Sequence, residues 1–296
     1  MRLLSAAQSF TSPPQGNREA VSSAEGVIYK ARRENFPVAS RLLPRGYRRH
    51  LMAVYGFARF IDDIGDEAPP ADRLRLLDVV EDDLARLYAG RAARVPAVGA
   101  LKRTVSEFAI PDEPFRRLIR AGRRDQAVTR YESFEDLLGY CELSANPVGH
   151  IVLHVFGVAD RRRCALSDQV CSALQVIEHC QDVGEDYTRG RVYLPGADLR
   201  RFGCTDDDFA RATTPDRLRR TIALQTTRAG ALLDAGTGLV SELTGPARVA
   251  VAGYIAGGRA TITALVAADH DVLGRAVRPR RTRLLTTWLR VLATGR

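Results

Sequence analysis

The stretch "RGYRRHLMAVYGFARFIDD" (45–63) places Leu51, Val54, Tyr55, Ala58 and Ile61 at helical spacing, one apolar stripe on a polar segment. The same period runs through most of the chain. Pro44 stands where a first helical turn begins, and "APPADR" interrupts the pattern before Pro70 restarts it in "ADRLRLLDVVEDDLARLYAG". Further helices are expected at about 95–109, 112–127, 133–143, 147–157, 167–187, 206–242, 245–270 and 280–293, with Ser167 or Asp168 capping the one at 167. Strand signals are almost absent apart from "RVYLP" (191–195). With no repeat and no long linker, residues 1–296 read as one all-α domain, its helices packed around a central cavity.

The net charge of +9 is carried almost wholly by arginine, since Lys30 and Lys102 are the only lysines among 44 basic residues. Such a surface favours anionic partners. Five cysteines without a CxxC pair argue against a disulfide framework or structural zinc, and for a reducing compartment. The apolar stretch in "MRLLSAAQSFTSPPQGNREA" is too short for a signal peptide, and no run reaches the roughly 18 apolar residues of a membrane span. A cytoplasmic location is expected. There is no P-loop, no GxGxxG after a strand, no nucleophile elbow and no nucleic-acid-binding motif.

The chemistry concentrates in two acidic clusters. "FARFIDDIGDE" (57–67) sets Asp62 and Asp66 at i, i+4, and "LQVIEHCQDVGEDY" (174–187) repeats that spacing with Asp182 and Asp186. Glu178 and Gln175 continue the second row toward the N-terminus. Carboxylates at this spacing repel by roughly 0.2–0.5 kcal/mol per pair. Either cluster alone could be a solvated helix end, but both are flanked by apolar or aromatic residues. Together they point to Mg²⁺, which binds a few carboxylates and completes its shell with substrate phosphates.

"VYGFARFIDDIGDE" and "LQVIEHCQDVGEDYTRGRVYLP" resemble the two aspartate-rich motifs of the squalene/phytoene synthase family, a likeness that extends from about Glu34 to Asp271. The resemblance implies an all-α isoprenoid synthase fold and a Mg²⁺-dependent enzyme acting on isoprenyl diphosphates. Asp62 and Asp66 would then be one pair of metal ligands, and Asp182 and Asp186 the other, with Glu178 beside them. It also implies that Arg59 grips diphosphate, that Tyr55, Tyr140 and Gln175 line the substrate site, and that Phe36 in "ENFPVAS" forms part of its apolar wall. "ENFPVAS", "YCELSANPVGH" and "HCQDVGEDY" are most similar to the branch of hopanoid biosynthesis that converts presqualene diphosphate and water to hydroxysqualene.

Two departures bear on the reaction: many members have asparagine at the position of Glu178 and arginine at that of Gln181. Losing an arginine there weakens the case for condensing two diphosphates, and leaves Gln181 or His179 to orient water. The rivals are synthesis of presqualene diphosphate, dehydrosqualene or phytoene from two prenyl diphosphates, and a non-catalytic assembly factor working with other pathway enzymes. Outside the motifs, His150 and His154 form an HxxxH pair without an evident third ligand. The basic C-terminal "RAVRPRRTRLLTTWLRVLATGR" reads as a final helix packed on the domain, with peripheral membrane contact as the alternative.

Overall fold

The computed structural model describes residues 43–295, and these are helical almost throughout. Helix α1 (Arg45–Glu67) starts directly after Pro44, and a 3₁₀ turn at Pro70–Asp72 leads into α2 (Arg73–Tyr88). Then follow α3 (Pro96–Phe108), α4 (Glu113–Ala127), α5 (Phe134–Ser144), α6 (Asn146–Val155) and α7 (Arg161–Gln181). The chain continues with the short α8 (Val183–Thr188) and α9 (Gly196–Phe202), then α10 (Asp216–Gly236) and α11 (Leu239–Glu242), and ends with α12 (Gly245–Ala267) and α13 (Arg281–Thr294). Among the described residues "RVYLP" forms no strand; its one β contact is a parallel bridge between Val192 and Arg130.

Three helix boundaries differ from the sequence reading, each for a local reason. Helix α7 begins six residues earlier than expected, because Asp160 rather than Ser167 or Asp168 is its cap and accepts the Arg163 N–H at 2.8 Å. Its last turn closes at Gln181, and Asp182 joins it to α8, so the second acidic row crosses a helix junction. The expected helix 206–242 is three pieces, since Pro215 cannot continue a helix and stands at its start instead.

The core has three parts. In one, Phe57 of α1 meets Phe115 of α4 edge-on at 5.5 Å, surrounded by Leu77, Leu101 and Ile119. A second gathers Tyr131, Tyr140, Ile177, Tyr193 and Leu265, and a third joins Val170, Leu233, Val251, Ile255 and Val291. Helix α12 is long and apolar enough to cross a membrane, with mean hydropathy 1.4, which corrects the expectation that no segment is. Its apolar surface serves packing, with 61% of that window buried. Helix α13 lies on α12, where Trp288 rests over Gly253 and donates to the Val249 carbonyl at 3.0 Å.

Helix α7, which carries Gln175 and Glu178 and leads into the second acidic row, is held against α10 by a close approach at Gly236. A Cβ there would stand 2.8 Å from the Leu166 carbonyl and 2.6 Å from Val170. Backbone cannot yield cheaply, so Gly236→Ala is expected to destabilise by about 1–3 kcal/mol. Gly230→Ala on the same helix, where the nearest atom is 3.9 Å away, is expected to be neutral or to stabilise by up to about 1 kcal/mol. Paired thermal melts check this; equal effects would refute the close-contact account.

Candidate active site

A cavity of about 360 Å³ runs between the three parts of the core, within the range of small-molecule sites. One end is apolar, walled by Val152, Leu153, Val170, Leu174, Val251 and Tyr254. The other is polar, with Tyr55, Arg59 and Asp62 from α1, Asp125 from α4, Tyr140 from α5, and Gln175 and Glu178 from α7. The helical period delivers this division: Tyr55, Arg59 and Asp62 succeed one another at i+4 and i+3, while Leu51 and Ile61 on adjoining positions enter the core.

Arg59 pairs with Asp63 through its Nε at 2.9 Å, one turn along its own helix. Asp62 is accessible to solvent but closely walled by protein. Desolvation there outweighs the opposing charge of Arg59, and with Asp125, Asp66 and Asp63 adding repulsion its carboxyl is pushed up to about 7. Asp66 is engaged by Arg191 at 2.8 Å, with Arg189 3.9 Å away. That contact ties α1 to the loop after α8. In the second row, desolvation and the neighbouring Asp186 raise Asp182 to about 6. Asp186 faces His179 at 3.5 Å, and its Oδ2 is buried without a hydrogen-bond partner. His179 stacks on Tyr193 at 3.7 Å, and its other nitrogen lies 3.2 Å from Gln175.

Sequence reasoning missed the group that links the two rows. Asp125, in "GRRDQ", accepts from Tyr140 at 2.9 Å and from Tyr193 at 3.4 Å. Burial raises its carboxyl to about 6, against the Tyr140 hydrogen bond and the charge of Arg191. A lone acid on a helix with a buried apolar face was the available signal. Arg191 and Tyr193 stood inside the quoted second motif, where no role was assigned to them.

Other expected site residues fall elsewhere. Gln181 does not line the cavity; its amide donates to the Val277 carbonyl at 2.5 Å. Gln175 is the amide that lines the cavity. Phe36 lies outside the described residues. His150 bonds Asp168 at 2.7 Å. Among the described residues no three His, Cys, Asp or Glu side chains converge as a preformed metal cluster, the HxxxH pair included. The acidic groups line a rim rather than a cage, an arrangement suited to a cation shared with a ligand.

The all-α frame around this cavity is that of the isoprenoid synthases. The family profile of squalene/phytoene synthases matches residues 29–284, and the chain belongs to that family. It is 35% identical over 215 residues to a hydroxysqualene synthase of Zymomonas mobilis, covering 71% of each chain. It is 31% identical to a chloroplastic phytoene synthase of Zea mays, over 81% of this chain and 60% of that one. Among solved structures it matches the squalene synthase HpnC from Alicyclobacillus acidocaldarius at 41% identity and a TM-score of 0.75, covering 87% of this chain and 97% of that one. A dehydrosqualene synthase at 21% identity shares the fold, with a TM-score of 0.78 over 99% of this chain and 97% of that one.

The raised carboxyl of Asp62 has a measurable consequence in protein stripped of divalent ions. The folded state holds this proton more tightly than the unfolded chain, so its contribution to stability is largest below about pH 4 and is lost as pH rises toward 7. Asp62→Asn removes the charge permanently. Its melting temperature is expected to exceed wild type at pH 8 and to converge with it near pH 4. Parallel melting curves across that interval would remove Asp62 from the crowded end of the cavity.

Proposed function

We propose that this chain is a Mg²⁺-dependent enzyme that converts presqualene diphosphate and water to hydroxysqualene and diphosphate. The observation that carries the reading is an apolar cavity whose polar end is lined by Asp62 and Glu178, one from each acidic segment, in a chain whose relatives include hydroxysqualene synthases. The residues present fit a hard cation: Asp186 has a buried oxygen without a hydrogen-bond partner, and desolvation with neighbouring carboxylates raises Asp62 and Asp182 above the usual carboxylate range, a cost a cation would relieve. Asp62, Asp66, Glu178, Asp182 and Asp186 would hold it. When bound, Mg²⁺ neutralises a diphosphate leaving group.

The chain's own residues do the rest. Arg59, at the polar end, adds a directional guanidinium grip on phosphate oxygens. Arg191 and the tyrosine pair on Asp125 keep the rim in register. As the C–O bond to diphosphate breaks, the hydrocarbon cation is kept from bulk water by the walls around Leu174 and Val251, with Tyr55, Tyr140 and Tyr254 offering aromatic faces. Gln175, held by His179, orients the one water whose oxygen forms the new C–O bond, and a proton is released. The placement of Gln181 on a backbone carbonyl accords with a site that handles a single diphosphate.

Incubation with presqualene diphosphate and Mg²⁺ in ¹⁸O-water is expected to give a labelled C30 alcohol, undiverted by NADPH. A hydrocarbon as main product, or turnover of two prenyl diphosphates alone, would favour the condensation that the squalene and phytoene synthase relatives suggest. Arg59→Lys keeps the charge but loses the planar fork, and is expected to lower kcat/KM by about tenfold or more. Mg²⁺ should raise the melting temperature of the wild type at pH 8 and do so less in Asp182→Asn. An equal shift in that variant would exclude Asp182 as a ligand.

A further inference from the structure

The last 25 residues, Val272–Arg296, contain seven arginines and no acid, so they carry seven of the nine net positive charges. Among the described residues, Arg275, Arg278, Arg280, Arg281, Arg283 and Arg290 are exposed and none has an acidic partner within 4 Å. Elsewhere on this protein arginines are habitually paired, as Arg116, Arg123 and Arg217 are. Four of the unpaired six border a groove of about 390 Å³ between α12 and the segment leading into α13. Its floor is apolar, made by Ala260, Ala264, Ala267 and Val277.

Apolar exposure collects in the same place. Four large hydrophobic side chains are exposed among the described residues, and three of them, Val266, Leu285 and Leu289, lie in the last turn of α12 and along α13. Leu285 and Leu289 share a face at i, i+4, turned away from the one that seats Trp288 and Val291 on the domain.

We infer that this face, the arginine-bordered groove with Leu285 and Leu289 of α13, docks the protein onto an anionic lipid bilayer. Unpaired arginines repel one another and gain from phosphate; aliphatic side chains beside them gain from acyl chains. A nucleic acid would satisfy the first requirement and leave the leucines in water. The chain's own residues 1–42 carry six basic and three acidic side chains, a net charge of the same sign as the patch. The inference does not depend on which diphosphate the cavity takes. The face stands one hydrogen bond from the site, since Val277 on the groove floor accepts from Gln181, next to Asp182.

Cosedimentation of the full chain with vesicles tests it. Binding is expected to mixed phosphatidylcholine/phosphatidylglycerol vesicles, to weaken as salt rises, and to be absent with phosphatidylcholine alone. The combined variant Arg278→Glu, Arg280→Glu, Arg283→Glu should bind about a hundredfold more weakly or worse, at roughly fivefold per arginine. Leu285→Ser with Leu289→Ser should also weaken binding, and both variants should keep the wild-type melting temperature. Equal binding to neutral vesicles, or wild-type binding by either variant, would overturn the proposal. So would a dimer in solution that both variants abolish without any vesicle binding, which would assign the face to a second copy.

Discussion

The cost of desolvating carboxylates at one end of an apolar cavity, sharpened by their neighbours' charge, shapes this site. Burial raises the carboxyls of Asp62, Asp125 and Asp182, and the charge of Asp66 adds to the first two as that of Asp186 does to the third. Helices alone would spread such groups into water. Here α1, α4, α7 and α8 bring them together, and the fold meets the cost locally. Arg191 spans from the second segment to Asp66, Arg59 leans on Asp63, and two tyrosine hydroxyls donate to Asp125. The compensation is partial. Asp186 keeps a buried oxygen without a hydrogen-bond partner, and Asp62, Asp125 and Asp182 ionise at higher pH than ordinary carboxylates.

Partial compensation is what a diphosphate enzyme requires of its resting site. A rim fully neutralised by its own arginines would have no use for a cation, and one with no arginines would have nothing to hold phosphate oxygens. The apolar half of the cavity owes its existence to the surrounding packing. Small residues on α12 let α7 and α10 approach, and Gly258 admits Leu174 and Leu233 where a Cβ would stand within 3.0 Å of both. Space for a hydrocarbon is then left between α12, α6 and α1.

Much of this was legible in the linear order of residues. Pro44 marked the start of α1, and apolar stripes located α4, α5 and α12 to within a few residues, because these signals act within one or two turns. The two acidic rows pointed to a candidate site through their i, i+4 spacing, although the second row proves to cross the junction of α7 and α8. Where the reading went astray, a competing local device or a distant partner decided. Asp160 took the cap from Ser167, and Pro215 cut the segment 206–242. The apolar run of α12 was longer than the sequence reading allowed.

The sequence by itself determined the helices, their amphipathic faces and the two carboxylate rows, because each depends on neighbours three or four positions away. Tertiary structure alone decided that Asp125 stands between the rows, that Arg191 reaches Asp66 across 125 positions, and that Gln175 rather than Gln181 faces the cavity. It also decided that α13 seats Trp288 inward and leaves Leu285 and Leu289 in water. A side chain's partner across the core is set by how whole helices pack, and no spacing along one helix encodes that.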